Sequence, residues 1–264
     1  MPPVLPPPRR TILMYHAVRA PGVSVAGEDP HYTVERDAFL AQLDLAQAGG
    51  RGVGCARDLL AGADGQSVAL TFDDGHLSNY TVAWPELLAR GLRADFFINP
   101  ASVGRRDFAS WAQLREMAQS GMSIQSHGYE HRYFDDLDSI ALDVQLARSR
   151  GEIEEHIGQP VTLLAPPGGR APPGLLPRAR DLGYRHVLGS RPGHLRADAG
   201  SRILPRVAVT ADLDEARLAA WLDGSRLVDL RAQLRHDLLG AAKHVLGNRR
   251  YERLRGRLLG PAQG

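Results

Sequence analysis

Short apolar runs alternate with amphipathic stretches along most of the chain, from residue 11 to about residue 210. The apolar runs have the length of strands and lie at 11–15, 67–72, 94–98, 122–126, 161–165, 185–188 and 202–209. The stretches between them have helical spacing and lie at 34–48, 77–90, 111–119, 137–156 and 173–182. Strands that alternate with helices predict a parallel sheet with right-handed crossovers. The pattern therefore predicts an α/β fold, an irregular (β/α) barrel of about seven parallel strands.

The two ends of the chain have different patterns. Residues 1–10 are rich in proline and predict a flexible, extended tail. Beyond residue 210 the pattern is helical only, and apolar residues recur at steps of three and four at Leu227, Leu230, Leu234, Leu238, Ala241 and Val245. This stripe continues after Gly247 with Tyr251, Leu254 and Leu258. We therefore divide the chain into a tail (1–10), a barrel domain (11–210) and a helical extension (211–264).

Composition and charge exclude several classes of protein. The hydrophobic fraction of 43% is that of a globular domain, and the formal net charge of +2 argues against a nucleic-acid-binding protein. Cys55 is the one cysteine, so an internal disulfide and a thiolate metal cluster are excluded. The chain starts without the apolar segment of a signal peptide and contains no run of about 20 apolar residues that would span a bilayer. We therefore expect a cytoplasmic protein.

The charge is concentrated in the helical extension. Eight Lys and Arg residues lie between Arg231 and Gly264, against Asp237 and Glu252. A basic amphipathic helix is suited to an anionic membrane surface, so peripheral membrane contact is one interpretation. The other interpretation is a helical appendage that packs on the barrel and turns a charged face to solvent.

Adjacent carboxylates follow the apolar run at 67–72, in the sequence Thr71-Phe72-Asp73-Asp74-Gly75. At the end of a strand the chain turns, so that both side chains can face one site. A bound cation would explain why two neighbouring carboxylates stay charged. An ordinary Asp-Asp-Gly turn with a helix N-cap is the alternative.

Histidines separated by four positions follow the run at 122–126, as His127 and His131. Two neutral imidazoles and one carboxylate form a three-ligand zinc site that leaves positions for water and substrate. Two surface histidines in a polar loop are the alternative. Both motifs follow strands, and the carboxyl ends of strands are where such barrels place their active sites. The sequence therefore predicts one site that combines them.

These motifs together resemble the polysaccharide deacetylase family, the nodulation-type deacetylase homology domain. The resemblance rests on Tyr15-His16, Thr71-Phe72-Asp73-Asp74-Gly75, Ser126-His127 with His131, and Ala165-Pro166-Pro167-Gly168-Gly169. It covers roughly residues 10 to 210 and is similar to the branch of poly-β-1,6-N-acetylglucosamine deacetylases, which begins with a Tyr-His strand. The resemblance implies metal-dependent hydrolysis of the acetamide of N-acetylated sugars, in a glycan or a glycan precursor.

The resemblance also implies a role for each matching residue. Asp74, His127 and His131 would hold a divalent metal, most often zinc and sometimes cobalt or nickel. Asp73 would be the general base that activates the attacking water. The backbone N–H of Gly168 would stabilise the oxyanion. Trp111 and Pro167 would contact the sugar, although a tryptophan at the start of a helix is more often part of the core.

The sequence departs from the family pattern in two places. Ala165 stands where most members have an arginine that is oriented toward the catalytic aspartate, and we expect Arg206, or else Arg170, to replace it. The late histidine that many members use as the general acid has no clear counterpart, so we assign this role to His16. His16 could instead cap the first strand or hold another site residue in position. These departures leave two alternatives: a catalytically silent carbohydrate-binding member of the fold, and a C–N hydrolase acting on another small amide.

Overall fold

The computed structural model describes residues 9–25, 27–196 and 201–246. Most of the predicted N-terminal tail, at 1–8, lies outside the described residues. So does the part of the apolar stripe that begins at Gly247.

Ten strands and eight helices follow one another along the described chain. The strands are β1 (Thr11–Tyr15), β2 (Ala17–Arg19), β3 (Thr33–Glu35), β4 (Gly52–Cys55), β5 (Gln66–Phe72), β6 (Asp95–Ile98), β7 (Ser123–Ser126), β8 (Leu163–Leu164), β9 (His186–Val187) and β10 (Val207–Ala208). The helices are α1 (Arg36–Gln47), α2 (Ala56–Leu60), α3 (Trp84–Ala89), α4 (Trp111–Gln119), α5 (Ser139–Ile157), α6 (Leu175–Asp181), α7 (Glu215–Leu222) and α8 (Arg226–Leu246).

Seven parallel strands form a curled half-barrel in the order β10-β1-β5-β6-β7-β8-β9, and β4 pairs with β5 beside this path. The predicted α/β fold of about seven parallel strands is thereby confirmed. Between the end strands β9 and β10, Leu188 forms an isolated parallel bridge with Leu204. All strand carboxyl ends in this sheet lie on one side, and the residues that follow them meet there.

Apolar side chains fill both faces of the sheet because successive residues of a strand point to opposite sides. The inner cluster contains Ile12, Ala69, Phe97 and Leu163 from four strands, together with Ala165. The neighbouring strand residues belong to a larger outer cluster, where they pack against the helices. The half-barrel therefore encloses a filled core, and the residues of the predicted site follow strands at its carboxyl edge.

Four elements were not predicted, namely β2, β3, β4 and α2. β4 and α2 lie in a stretch with weak apolar periodicity, Gly52-Val53-Gly54-Cys55 followed by α2. Gly52 is required because a Cβ atom there would lie 2.4 Å from the carbonyl oxygen of Gly65. Within the predicted loop at 17–33, β2 pairs in parallel with β3 to form a separate two-stranded sheet.

The first part of the C-terminal extension packs into the barrel. Leu218, Trp221 and Leu222 of α7 are buried in the outer core cluster. Of α8, Val228 and Ala232 pack against the same cluster. A separate domain beginning at residue 211 stays a prediction. No helix in the described ranges is both long and apolar enough to cross a bilayer.

Asp95, at the start of β6, is a buried acid. It is 0% exposed and accepts a hydrogen bond from the N–H of Ala56 at the start of α2. Burial raises the pKa of Asp95 to about 6, which is above the value of ~3.9 expected in an unfolded chain. The folded state therefore favours the protonated form. The resulting stabilisation is present below about pH 4 and is lost as the pH rises through about 6.

Asp95→Asn is expected to flatten this dependence, because asparagine keeps an acceptor for Ala56 without ionising. We compare the free energy of unfolding of the variant with that of the wild type at each pH. Above pH 6 this difference should favour the variant by on the order of 2 kcal/mol more than it does at pH 4. Urea unfolding at pH 4, 5, 6 and 7 measures it. Asp64→Asn, in an exposed turn, is the matched control. Identical pH profiles for wild type and Asp95→Asn would refute the assignment.

Candidate active site

The turn after β5 separates two neighbouring carboxylates. The N–H of Asp73 donates to the carbonyl of Tyr15 at 3.0 Å, which ties the end of β5 to β1. Asp74 adopts φ 74°, a left-handed conformation that is uncommon for a residue other than glycine. Such strain persists where the surrounding structure fixes it and is concentrated at functional sites. Here it separates the two carboxylates: Asp73 bonds to Arg206, and Asp74 approaches the histidines.

The loop after β7 brings the two histidines to Asp74. Nε2 of His127 and Nε2 of His131 each lie 3.1 Å from Oδ1 of Asp74. His131 also has a left-handed backbone, with φ 55°. Nδ1 of His127 lies 2.8 Å from the carbonyl oxygen of Ala165, so this nitrogen carries the proton and Nε2 is left as a ligand atom. The structure therefore brings all three predicted ligands together.

The arrangement fits a bound cation. The ligand atoms of Asp74, His127 and His131 lie within 4.8 Å of one another. Among the described residues, the buried Oδ1 of Asp74 has no partner in hydrogen-bond geometry, although both imidazoles are near it. Atoms that crowd together without hydrogen-bonding one another are expected around a shared ion. One carboxylate and two imidazoles are a ligand set that suits zinc and related divalent metals.

Arg206, which precedes β10, pairs with Asp73 inside the half-barrel. Its Nη1 and Nη2 donate to the two carboxylate oxygens of Asp73, each at 2.7 Å. Its Nε donates to the carbonyl of Gly189 at 2.8 Å, and the guanidinium lies over the ring of Phe97. Arg206 is 0% exposed and Asp73 2%. Arg170, the second candidate, instead lies over the ring of Tyr133 at 3.8 Å.

The two carboxylates are ionised for different reasons. Burial alone would raise the pKa of Asp73, but the charge of Arg206 and the nearby His127 outweigh it, so the pKa is lowered. Burial opposes ionisation of Asp74 too, yet contacts with His127 and His131 hold its pKa well below the usual value. Asp73 is thus a carboxylate paired with Arg206, and Asp74 is a carboxylate placed beside two imidazoles.

His16, directly after β1, faces the same site. Its ring packs on that of Tyr32 with the centroids 4.6 Å apart, and its carbonyl accepts from Nδ2 of Asn79 at 2.6 Å. Nδ1 of His16 is buried, and it has no hydrogen-bond partner among the described residues. Burial lowers the pKa of His16, and Asp74 and Asp73 partly oppose this shift.

The proline segment packs against the histidine loop. Pro167 is buried and lies near Gly128, and Gly168 is exposed with φ 61°. A Cβ atom on Gly168 would lie 2.8 Å from the ring of Tyr133. Any other residue there would therefore face both this steric clash and the strain of a positive φ. The backbone of Gly168 consequently lies at the rim of the site, next to the segment that follows His131.

Trp111 is placed differently from the other predicted residues. Its ring stacks on His156 of α5 with the centroids 4.2 Å apart, and it packs against the outer core cluster. Ser110 and Gln113 form a capping box that fixes the start of α4 around it. Contact of Trp111 with substrate stays a prediction that this packing does not support.

The structure also shows residues that the motifs did not indicate. Nδ2 of Asn99 donates to the carbonyl of His127 at 2.6 Å. Oε1 of Gln145 accepts from the N–H groups of Tyr129 and Glu130 at 3.0 and 2.9 Å. Both hold the histidine loop in shape. The sequence held one signal for each of them. Asn99 comes directly after a predicted strand, and Gln145 lies on the apolar face of a predicted helix.

Gln145→Met is expected to weaken metal binding by about 10–100-fold, the usual effect of losing a group that orients metal ligands. Methionine keeps the volume but leaves the N–H groups of Tyr129 and Glu130 without their acceptor. Competition with a chromogenic chelator measures the affinity. Gln42→Met, at a buried position of α1, is the matched control and should bind as the wild type does. Equal affinities in both variants would contradict this role.

Residues 61–187 of the chain match the family model described as polysaccharide deacetylase. In fold and site this part of the chain is similar to that family. A curated relative is YxkH of Bacillus subtilis (strain 168), which is named as a polysaccharide deacetylase. It is 30% identical over 159 residues, 60% of this chain and 57% of that protein. The chain thus aligns with just over half of this relative's length.

Solved structures share the fold over more of the chain. IcaB from Ammonifex degensii is 29% identical, with a TM-score of 0.66 over 82% of this chain and 97% of that one. The deacetylase PplD of Streptococcus pyogenes, solved in complex with acetate, is 24% identical, with a TM-score of 0.70 over 78% of this chain and 95% of that one. The second likeness concerns the fold alone.

Proposed function

We propose that the protein is a metal-dependent N-deacetylase that hydrolyses the acetamide of an N-acetylated glycan or glycan precursor and releases acetate. The observation that carries the proposal is the pairing of two adjacent carboxylates with two different partners. Asp74 meets His127 and His131 in a ligand set, while Asp73 is held by Arg206 as a separate base. The match of residues 61–187 to the polysaccharide deacetylase family model supports the reaction class.

Each residue has one task in the proposed reaction. Asp74, His127 and His131 would hold the divalent metal, for which zinc is the first choice and cobalt or nickel the others. When bound, such a metal lowers the pKa of water and polarises a carbonyl. Asp73 accepts the proton of the attacking water, and Arg206 keeps its carboxylate ionised and aimed.

The later steps use Gly168, which follows β8, and His16, which follows β1. The N–H of Gly168 donates a hydrogen bond to the oxyanion of the tetrahedral intermediate. His16 then donates a proton to the leaving nitrogen, which departs as the free amine of the sugar. Its buried Nδ1, which has no hydrogen-bond partner in the described part of the chain, is consistent with this task. Pro167 forms part of the wall against which the sugar lies.

A catalytically silent role is less well supported. The alanine at position 165 motivated it, since it left Asp73 without its usual partner. Arg206 supplies that partner with a bidentate contact inside the core. The cytoplasmic location stays a prediction.

Metal-dependent release of acetate tests the proposal. The protein would be stripped with a chelator, reloaded with zinc, cobalt or nickel, and assayed with N-acetylglucosamine oligomers. Acetate release that is absent after stripping and restored by metal is the expected result. Stoichiometric metal binding without acetate from any oligomer or N-acetylated sugar would overturn the proposed reaction. Absence of metal binding would overturn the site.

A further inference from the structure

Helix α8 exposes a continuous apolar stripe, the leucine face, formed by Leu227, Leu230, Leu234 and Leu238. These side chains are 56%, 65%, 60% and 63% exposed. Among the described residues seven large hydrophobic side chains are exposed, and four of them are in this face. Their steps of three and four place them on one side of the helix. Such a concentration of exposed leucine marks a contact surface.

The opposite side of α8 is already docked on the barrel. Asp229 pairs with Arg9 at 3.0 Å and with Nδ1 of His194 at 3.0 Å. Asp237, on the flank of the leucine face, pairs with Arg191 at 2.8 Å. Val228 packs against the outer core cluster. The contacts that fix the helix therefore turn the leucine face away from the protein.

The charge around the leucine face identifies its partner. Arg226, Arg231 and Arg235 are exposed on the same helix. From Arg226 to Gly264 the sequence has nine Lys and Arg against three Asp and Glu. An apolar stripe bordered by arginine is complementary to an anionic lipid surface, where each basic residue contributes about 1 kcal/mol.

A second copy of the chain fits this face less well. In a two-fold contact through the leucines, Arg231 and Arg235 of both copies would lie close together and repel. A stable protein interface also buries about 800 Å² on each partner, more than a single four-leucine stripe offers. The charge pattern therefore favours lipid.

We propose that the leucine face of α8 binds an anionic membrane surface. The proposal stands on the surface of α8 alone and does not depend on the proposed deacetylase function.

Sedimentation of the metal-loaded full chain with vesicles tests the docking. We expect binding to phosphatidylglycerol-containing vesicles and little binding to phosphatidylcholine alone. Leu230→Gln with Leu234→Gln should lower the bound fraction at least tenfold, and Arg231→Gln with Arg235→Gln should lower it on the anionic vesicles. Ile140→Gln with Val144→Gln is the matched control, because these side chains are 76% and 53% exposed on α5.

The outcomes separate the two proposals. All of these variants should release acetate from soluble oligomers at the wild-type rate, so deacetylation and docking are measured independently. Failure of the wild type to bind anionic vesicles, or wild-type binding by the leucine variant, would overturn the docking. So would light scattering that shows a dimer lost in the leucine variant.

Discussion

Replacing Arg206 with methionine is expected to destabilise the protein and to remove most of its activity. The substitution leaves the buried carboxylate of Asp73 without a counter-charge, and breaking one side of a buried ion pair typically costs about 3–5 kcal/mol. The pKa of Asp73 should rise, because Arg206 is the largest influence that lowers it. Acetate release should fall by up to about 10²–10⁴-fold, the range for loss of a general base. The acid limb of the pH–rate profile should move to higher pH.

The alanine at position 165 offers a specific control for Arg206. Ala165 belongs to the inner cluster with Phe97, the ring over which the guanidinium of Arg206 lies. Adding Ala165→Arg to Arg206→Met should return a guanidinium to the same interior space and recover part of the activity. Ala165→Arg alone should be harmful, since two buried arginines would share one carboxylate. If Arg206→Met retains both its acid limb and its activity, Arg206 does not position Asp73.

Asp73→Asn is expected to abolish acetate release while leaving metal binding intact. An amide cannot accept the proton of the attacking water, so the rate should fall by about 10²–10⁴-fold. The substitution at the neighbouring position, Asp74→Asn, should instead weaken metal affinity, because Oδ1 of Asp74 lies 3.1 Å from Nε2 of both imidazoles. Titration with zinc and acetate assays on both variants separate the roles.

Stability must be followed in this comparison. Asp73→Asn leaves Arg206 buried without its counter-charge, so its thermal unfolding midpoint should fall, and rates should be compared well below that midpoint. Asp74→Asn removes a carboxylate whose side chain is 19% exposed and should cost less stability. If Asp73→Asn loses bound metal in proportion to its loss of activity, the assignment of Asp73 as the base and Asp74 as the metal ligand is contradicted.

The sequence pattern predicted the barrel and the ligand triad because both depend on local order. Each ligand follows a strand, and parallel strands bring their carboxyl ends to one edge. Asp74, His127 and His131 could therefore be grouped without knowing the strand register. The segment 52–60 was missed because β4 pairs through a backbone position that only Gly52 fits and carries little apolar pattern.

Positioning residues were harder to find, since their contacts are set by packing. Arg206 and Asp73 are 133 positions apart in the sequence, and only a gap in the family pattern at Ala165 indicated a substitute. Gln145 is buried on the core face of α5, while Ile140 and Val144 of the same helix are exposed. An apolar-inside rule would have assigned them the opposite way. For Gln145 the loop that it binds overrides the rule.

The contact between His127 and the carbonyl of Ala165 has a consequence for how this site can diverge. The imidazole is held by a main-chain oxygen, which every amino acid at position 165 provides. The side chain there can therefore change without altering the tautomer of a metal ligand. A guanidinium can thus be relocated from the strand-8 segment to the approach of strand 10 while the ligand set stays intact. The arginine that pairs with Asp73 can therefore be lost at one position and gained at a distant one by two separate substitutions.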